Sequence, residues 1–171
     1  TQDKILLTDD SDLLLTTLTE SVQNAKPGTT QFYPVVQDNA VERPATTEEF
    51  FASLNTRLSD NALRTLDDDF MIGSVTTSEN EPYLVLQSND FDTLFSALLA
   101  WETTMRDDLA PLFGTVIPPV TPFTDTIANN RSVRILRAGD GKSLLLYSFI
   151  NQGTVVITKS EEALGILLEK F

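Results

Sequence analysis

The last third of the chain alternates short apolar segments with turn-forming residues. Apolar segments occupy residues 133–137, 144–150 and 154–159, and Gly, Asp and Asn are concentrated between them, at 139–142 and 151–153. Residues that accept a positive φ between apolar segments predict β-hairpins. A further hairpin is predicted over residues 70–88, so we expect much of the chain to form antiparallel sheet.

Helical patterns separate the predicted strands. Apolar residues three and four positions apart predict helices over residues 12–25 and 160–171. Thr46 and Glu49 have the spacing of a capping box, which predicts the start of another helix. The longest apolar stripe predicts one helix over residues 90–112, and a short helix is predicted at residues 123–130.

These elements predict an α+β fold, with an antiparallel or mixed sheet of hairpins and helices packed on one face. Residues 115–122 contain three prolines, which is typical of an extended connector. A hairpin strand followed by a helix at residues 83–98 is weakly repeated at 155–168. Two organisations therefore stay open: a single domain over residues 1–171, or two packed β-β-α lobes, 1–114 and 123–171, joined by the connector at 115–122.

Histidine and cysteine are both absent from the sequence. Their absence excludes disulfides, thiol nucleophiles, Ser-His-Asp triads and zinc, copper or haem sites that need these ligands. Oxygen ligands for a cation such as calcium are the metal chemistry that remains. We therefore expect no cofactor and no enzymatic activity.

Acidic residues outnumber basic ones by 25 to 12, for a net charge of −13. This charge repels phosphate backbones, so we expect no nucleic-acid partner. Residues 131–171 differ, with six basic and four acidic side chains. Arg131, Arg134 and Arg137 belong to a basic cluster there, which either pairs with acids of the same fold or forms a contact patch.

Two aspartate clusters provide an alternative function. They suggest a calcium-binding module or a metal-assisted hydrolase, although acids at a helix start also satisfy its free N–H groups. The candidate ligands are Asp9, Asp10 and Asp12 in the first cluster and Asp67, Asp68 and Asp69 in the second.

Three parts of the sequence carry a resemblance to known proteins. They are residues 48–51 with 70–73, residues 99–102 with 107–113, and residues 144–150 through 154–158. Together they resemble a domain of uncharacterised membrane-anchored proteins of candidate-phyla-radiation bacteria. The resemblance covers the chain from about Glu48 onward. It implies an extracytoplasmic α+β domain tethered by an upstream transmembrane helix, and it implies no catalytic residues.

The main prediction is a non-enzymatic scaffolding or protein-binding domain at the cell envelope, which contacts a protein partner or a second copy of itself. No apolar segment approaches the ~20 residues that span a bilayer, so we expect no membrane insertion by this chain. Pro34 favours an edge strand at residues 31–37, and Trp101 either packs on a neighbouring element or marks a contact surface. The expected contact residues are Phe32, Tyr33, Trp101, Arg131, Arg134 and Arg137.

Overall fold

Nine strands form one mixed sheet in the computed structural model, which describes residues 2–8, 11–114 and 122–170. The strands are β1 (Gln2–Leu6), β2 (Thr29–Asp38), β3 (Val41–Pro44), β4 (Met71–Thr76), β5 (Asn80–Gln87), β6 (Thr124–Ala128), β7 (Arg131–Arg137), β8 (Ser143–Phe149) and β9 (Thr154–Thr158). Their order is β1-β2-β4-β5-β9-β8-β7-β6, with β3 paired to β2. β1 is parallel to β2, and the other pairs are antiparallel. The predicted α+β class and mixed sheet of hairpins are confirmed.

Seven helices accompany this sheet within the described ranges. They are α1 (Ser11–Gln23), α2 (Thr47–Ser53), α3 (Asp60–Leu63), α4 (Phe91–Trp101), α5 (Met105–Asp108), α6 (Ala110–Phe113) and α7 (Glu161–Leu168). None of these helices combines the length and the apolar character that crossing a membrane requires.

The predicted capping box is present at the start of α2. The Thr46 hydroxyl accepts from the Glu49 N–H at 3.2 Å, and the Glu49 carboxylate accepts from the Thr46 N–H at 2.9 Å. Hydrogen bonds from Arg43 and from the Thr46 N–H lower the pKa of Glu49 to about 2. The carboxylate is therefore charged at neutral pH, which suits the positive end of the helix.

Each face of the sheet has its own apolar core. Leu84 and Leu86 of β5 point into the first core, to which α1 to α6 all contribute. Tyr83 and Val85 point to the opposite face, because side chains alternate along a strand, and they pack there with Leu164 of α7. The prediction that all helices pack on one face is therefore wrong for α7. The central strands carry apolar side chains on both faces of the sheet, so each face must be covered by helices.

The two sides of the undescribed segment 115–121 contribute to the same sheet. β5 pairs with β9 from Tyr83 opposite Thr158 to Gln87 opposite Thr154. Apart from Pro122, the predicted proline-rich connector at 115–122 lies outside the described residues.

The predicted helix over residues 90–112 is divided into α4, α5 and α6. Thr104 donates its N–H to the Trp101 carbonyl at 2.9 Å, a turn bond three residues back, and the Thr103 hydroxyl donates to the Ala100 carbonyl. Threonine is a weak helix former whose hydroxyl competes for backbone groups, so the chain turns here despite the continuing apolar stripe.

The predicted short helix at residues 123–130 is strand β6. Thr124 and Thr126 favour extended backbone, as β-branched residues do. Asn129 and Asn130 have φ angles of 52° and 60°, which fits a two-residue type I′ turn into β7.

Pro34 does not mark an edge strand, because β1 lies outside β2. On its inner side β2 pairs with β4 as far as Phe32 and with β3 from Val35 onward. Pro34 lies between these two partners, where no ladder bond needs its missing N–H. Its carbonyl accepts the Ala45 N–H at 3.0 Å.

Gly73 provides a test of this sheet packing. A Cβ at this position would lie 2.1 Å from the Thr30 carbonyl oxygen and 2.6 Å from the Tyr83 ring. We expect Gly73→Ala to lower the free energy of unfolding by about 3 kcal/mol, measured by urea denaturation. The control is Ser74→Ala, since the buried Ser74 hydroxyl has no hydrogen-bond partner among the described residues. That variant should stay within about 1 kcal/mol of the parent. Equal stability of the two variants would contradict the packing.

Candidate functional site

An open groove lies between α4 and the outer strands of the sheet, on the first face. Its cavity volume is about 690 Å³. We call it the aromatic groove. Its main lining residues are Phe91, Phe95, Leu99, Arg134, Tyr147 and Phe149.

The wall of the groove is an aromatic cluster. Phe91 and Phe95 stack with ring centroids 5.7 Å apart, and Phe149 of β8 meets the Phe91 ring edge-on at 4.9 Å. Phe91, Phe95 and Leu99 are four residues apart on α4, a spacing that places them on one side of the helix. Phe95 remains 39% exposed and Leu99 38% exposed, so the cluster presents apolar surface to solvent.

A polar network forms one end of the groove. Glu102, directly after α4, accepts from Arg134 Nε at 2.8 Å, from Arg134 Nη2 at 2.6 Å and from the Tyr147 hydroxyl at 2.7 Å. Arg134 also lies 3.2 Å from Asp125. The hydrogen bond to Glu102 raises the pKa of Arg134, and burial followed by the same carboxylate raises the pKa of Tyr147. Both groups therefore keep their protons at neutral pH, and the network ties α4 to β7 and β8.

Two predicted contact residues lie inside the protein. Phe32 is buried in the first core, and Trp101 is 2% exposed, with its ring 5.9 Å from Phe51. Both are corrected from contact residues to core residues. Tyr33 follows Phe32 on β2, so its side chain lies on the opposite face, where it is 40% exposed.

The three predicted arginines do not form one patch. A spacing of three along a strand places successive side chains on opposite faces. Arg134 bonds to Glu102 beside α4, whereas Arg137 bonds to Glu161 of α7 on the second face. Arg131 donates to the Ile150 carbonyl at 2.9 Å. Arg131 and Arg134 both line the aromatic groove, whereas Arg137 is not among its lining residues.

The two predicted metal clusters belong to separate parts of the chain, before β2 and before β4. Asp9 and Asp10 lie outside the described residues, and Asp12 is exposed in the first turn of α1. Asp67, Asp68 and Asp69 are exposed, and Asp68 accepts the Thr47 N–H at 3.1 Å at the start of α2. Within the described ranges, no group of three or more carboxylates is placed to hold a metal ion.

Phe91 and Phe95 belong to the apolar stripe that predicts a helix over residues 90–112. In the structure this stripe divides into two rows on α4. Leu94 and Leu98 form the buried row, and Phe91, Phe95 and Leu99 form another beside it. Together the two rows have the spacing of an ordinary core-facing stripe, so the sequence alone does not set the second row apart. Phe149 could not be added to the site from the sequence, because its place depends on strand pairing.

Asp108 organises the structure round Trp101. It is 4% exposed and accepts from the Arg57 N–H at 2.8 Å, Arg57 Nε at 2.8 Å, Trp101 Nε1 at 2.6 Å and the Thr104 hydroxyl at 3.0 Å. Burial acts to raise the pKa of Asp108, but these hydrogen bonds outweigh it and lower the pKa. The carboxylate links the segment after α2 to the turn between α4 and α5.

Asp108→Asn should therefore destabilise the fold by about 2 kcal/mol, since an amide cannot accept all of these hydrogen bonds. The measurement is the urea midpoint at pH 7. Asp107→Asn is the matched control, because Asp107 is largely exposed and, among the described residues, pairs only with its half-buried neighbour Arg106. The control should change the stability by less than about 0.5 kcal/mol. An equal loss in both variants would contradict the role of Asp108.

The same variant has a defined pH dependence. A carboxyl whose pKa is lowered by folding stabilises the protein above its unfolded-state pKa of about 3.9. That stabilisation is lost as the pH falls through the folded-state pKa. The stability difference between the parent and Asp108→Asn should be constant from pH 5 to pH 7 and shrink below about pH 4. A difference that stays constant into acid would contradict the lowered pKa.

Comparison of the chain with protein-family models, curated proteins and solved structures finds no match.

Proposed function

We propose that the chain is a non-enzymatic protein-binding domain, and that the aromatic groove receives an apolar segment of another protein. The observation that carries this proposal is the cluster of Phe91, Phe95 and Phe149 beside an open cavity, in which Phe95 is exposed and the other two rings are half-buried. Aromatic side chains that are partly exposed and fixed in position are typical of the residues that dominate protein interfaces.

The bonding of the polar groups supports binding rather than catalysis. Both carboxylate oxygens of Glu102 accept hydrogen bonds from Arg134, and one of them also accepts from Tyr147. A general acid or base must be able to reach the proton of a substrate. Here Glu102, Arg134 and Tyr147 satisfy one another's hydrogen bonds, so the network supports the groove structurally.

The energetics also support an apolar ligand. Complete burial of a phenylalanine contributes roughly 1.5–3 kcal/mol relative to exposure. Phe95 and Leu99 each keep more than a third of their surface exposed, so a ligand can bury further area on both. Because Arg134 and Tyr147 are already bonded, little side-chain freedom is lost when the groove is occupied.

The resemblance from about Glu48 onward supports an extracytoplasmic place for this domain, with a scaffolding role at the cell envelope. We keep this location as part of the proposal. It is tested by labelling intact cells that make the full-length protein with a membrane-impermeant lysine reagent. Labelling of Lys142 and Lys170, as in lysed cells, is the expected result. Labelling of these lysines only after lysis would contradict the location.

The binding function is tested with peptides selected from a random library on the immobilised domain. Phe95→Asp should weaken selected peptides by at least about tenfold, because it places a charge in the apolar contact. Val41→Asp is the control: Val41 is exposed on β3, at the other end of the sheet. It should leave affinity unchanged. Peptides that bind Phe95→Asp and the parent equally well would contradict the proposed site.

A further inference from the structure

Strand β6 ends the sheet beside the aromatic groove. It pairs with β7 alone in the described strand order. The turn between them has two residues, and the residues that flank such a turn, Ala128 and Arg131, form a hydrogen-bonded pair. Hydrogen bonding alternates along an antiparallel strand. The backbone N–H and C=O groups of Asp125 and Ile127 therefore point away from β7, toward the open edge.

The same two residues have side chains on the groove side of the sheet. Ala128 belongs to the second core, so the preceding Ile127 points to the opposite face, where the groove lies. Ile127 is 79% exposed. Natural edge strands are normally protected by a charge, a proline or a covering element. In β6 the charge is Asp125, and the exposed β-branched Ile127 two residues later adds apolar surface to the same side of this edge.

On this basis, which rests on the binding function proposed above, we propose that the partner segment adds to the sheet as a strand paired with β6. Its backbone bonds to the outward groups of Asp125 and Ile127. Its apolar side chains on the groove side cover Ile127 and reach toward Phe95. Strand addition of this kind takes affinity from main-chain hydrogen bonds and specificity from alternate side chains.

Charge identifies the chemistry of the added strand as cationic. Asp125 forms an ion pair with Arg134 at 3.2 Å, but its side chain is 85% exposed, so a second cation can reach it, and the chain carries a net charge of −13. Two copies of the chain would repel each other, whereas a basic segment would be attracted. Because Asp125 and Ile127 share one face, a lysine or arginine opposite Asp125 should stand two residues from an apolar residue opposite Ile127.

The probe is a capped nonapeptide with this pattern, Lys-Thr-Phe-Thr-Lys-Thr-Phe-Thr-Lys, titrated into the domain and followed by NMR and calorimetry. The pattern reads the same in both directions, so it fits either orientation of the strand. Two further peptides carry N-methyl groups, one on the Lys and Phe residues and the other on the Thr residues. A fourth peptide replaces lysine by glutamate.

The expected result is saturable binding that shifts the amide signals of Asp125 and Ile127. One N-methylated peptide should lose at least about tenfold in affinity and the other should keep it, because alternate N–H groups of an added strand face β6. Loss with methylated Lys and Phe indicates an antiparallel strand, and loss with methylated Thr indicates a parallel one. Ile127→Asp should weaken the parent peptide, whereas Val41→Asp should not. The glutamate peptide should bind at least about tenfold more weakly at low salt.

The contrary outcomes separate this inference from the binding function. If both N-methylated peptides bind like the parent peptide while Phe95→Asp abolishes binding, strand addition is overturned and the groove remains the site. Equal binding of the lysine and glutamate peptides would overturn the cationic partner. If the probe shows no saturable binding, the strand proposal is overturned. The binding function of the groove is then still tested separately, by the library selection with Phe95→Asp. If sedimentation shows a dimer joined through β6, the strand that pairs with β6 belongs to a second copy of the chain, and the proposal of a cationic partner is overturned.

Discussion

The antiparallel pairing of β5 with β9 joins the two parts of the described chain in one sheet. Both strands carry apolar side chains on both faces, as Leu84 and Val85 illustrate. Such strands are stable only when both faces are covered. Helices α1 to α6 cover the first face, and α7 covers the second. The aromatic groove lies where α4 meets the outer strands. These strands lie beyond the central ones, whose apolar faces the helices bury.

The proposed binding site follows from this arrangement. Glu102 bonds to Arg134 and Tyr147, so the end of α4 is held against β7 and β8. The phenylalanines of α4 are thereby fixed beside Phe149 before any ligand arrives. Preorganisation of this kind lowers the entropy cost of binding. In the proposed complex, the edge of β6 adds backbone hydrogen-bonding groups to the apolar surface, and an extended peptide uses both at once.

Local patterns predicted the elements whose formation depends on neighbouring residues. The capping box of Thr46 and Glu49 and the hairpin turns into β8 and β9 are examples. Predictions from local sequence patterns were wrong where contacts between distant parts of the chain determine the position of a side chain. Trp101 was considered for a surface, but its ring N–H bonds to the buried Asp108. The prediction of a basic cluster left out the alternation of side chains along a strand, which places Arg134 and Arg137 on opposite faces of the sheet. The site itself could not be predicted, because it combines a helix with strands that lie next to it only in the folded sheet.

The central claim is that β6 offers an open backbone edge beside the groove. Amide hydrogen exchange of the free domain, followed residue by residue by NMR, tests it most directly. The account predicts that the N–H groups of Asp125 and Ile127 exchange rapidly, while the N–H of Thr126, directed toward Val133 of β7, is protected. Equal and strong protection of all three amides would show that another element already covers this edge and would contradict the account.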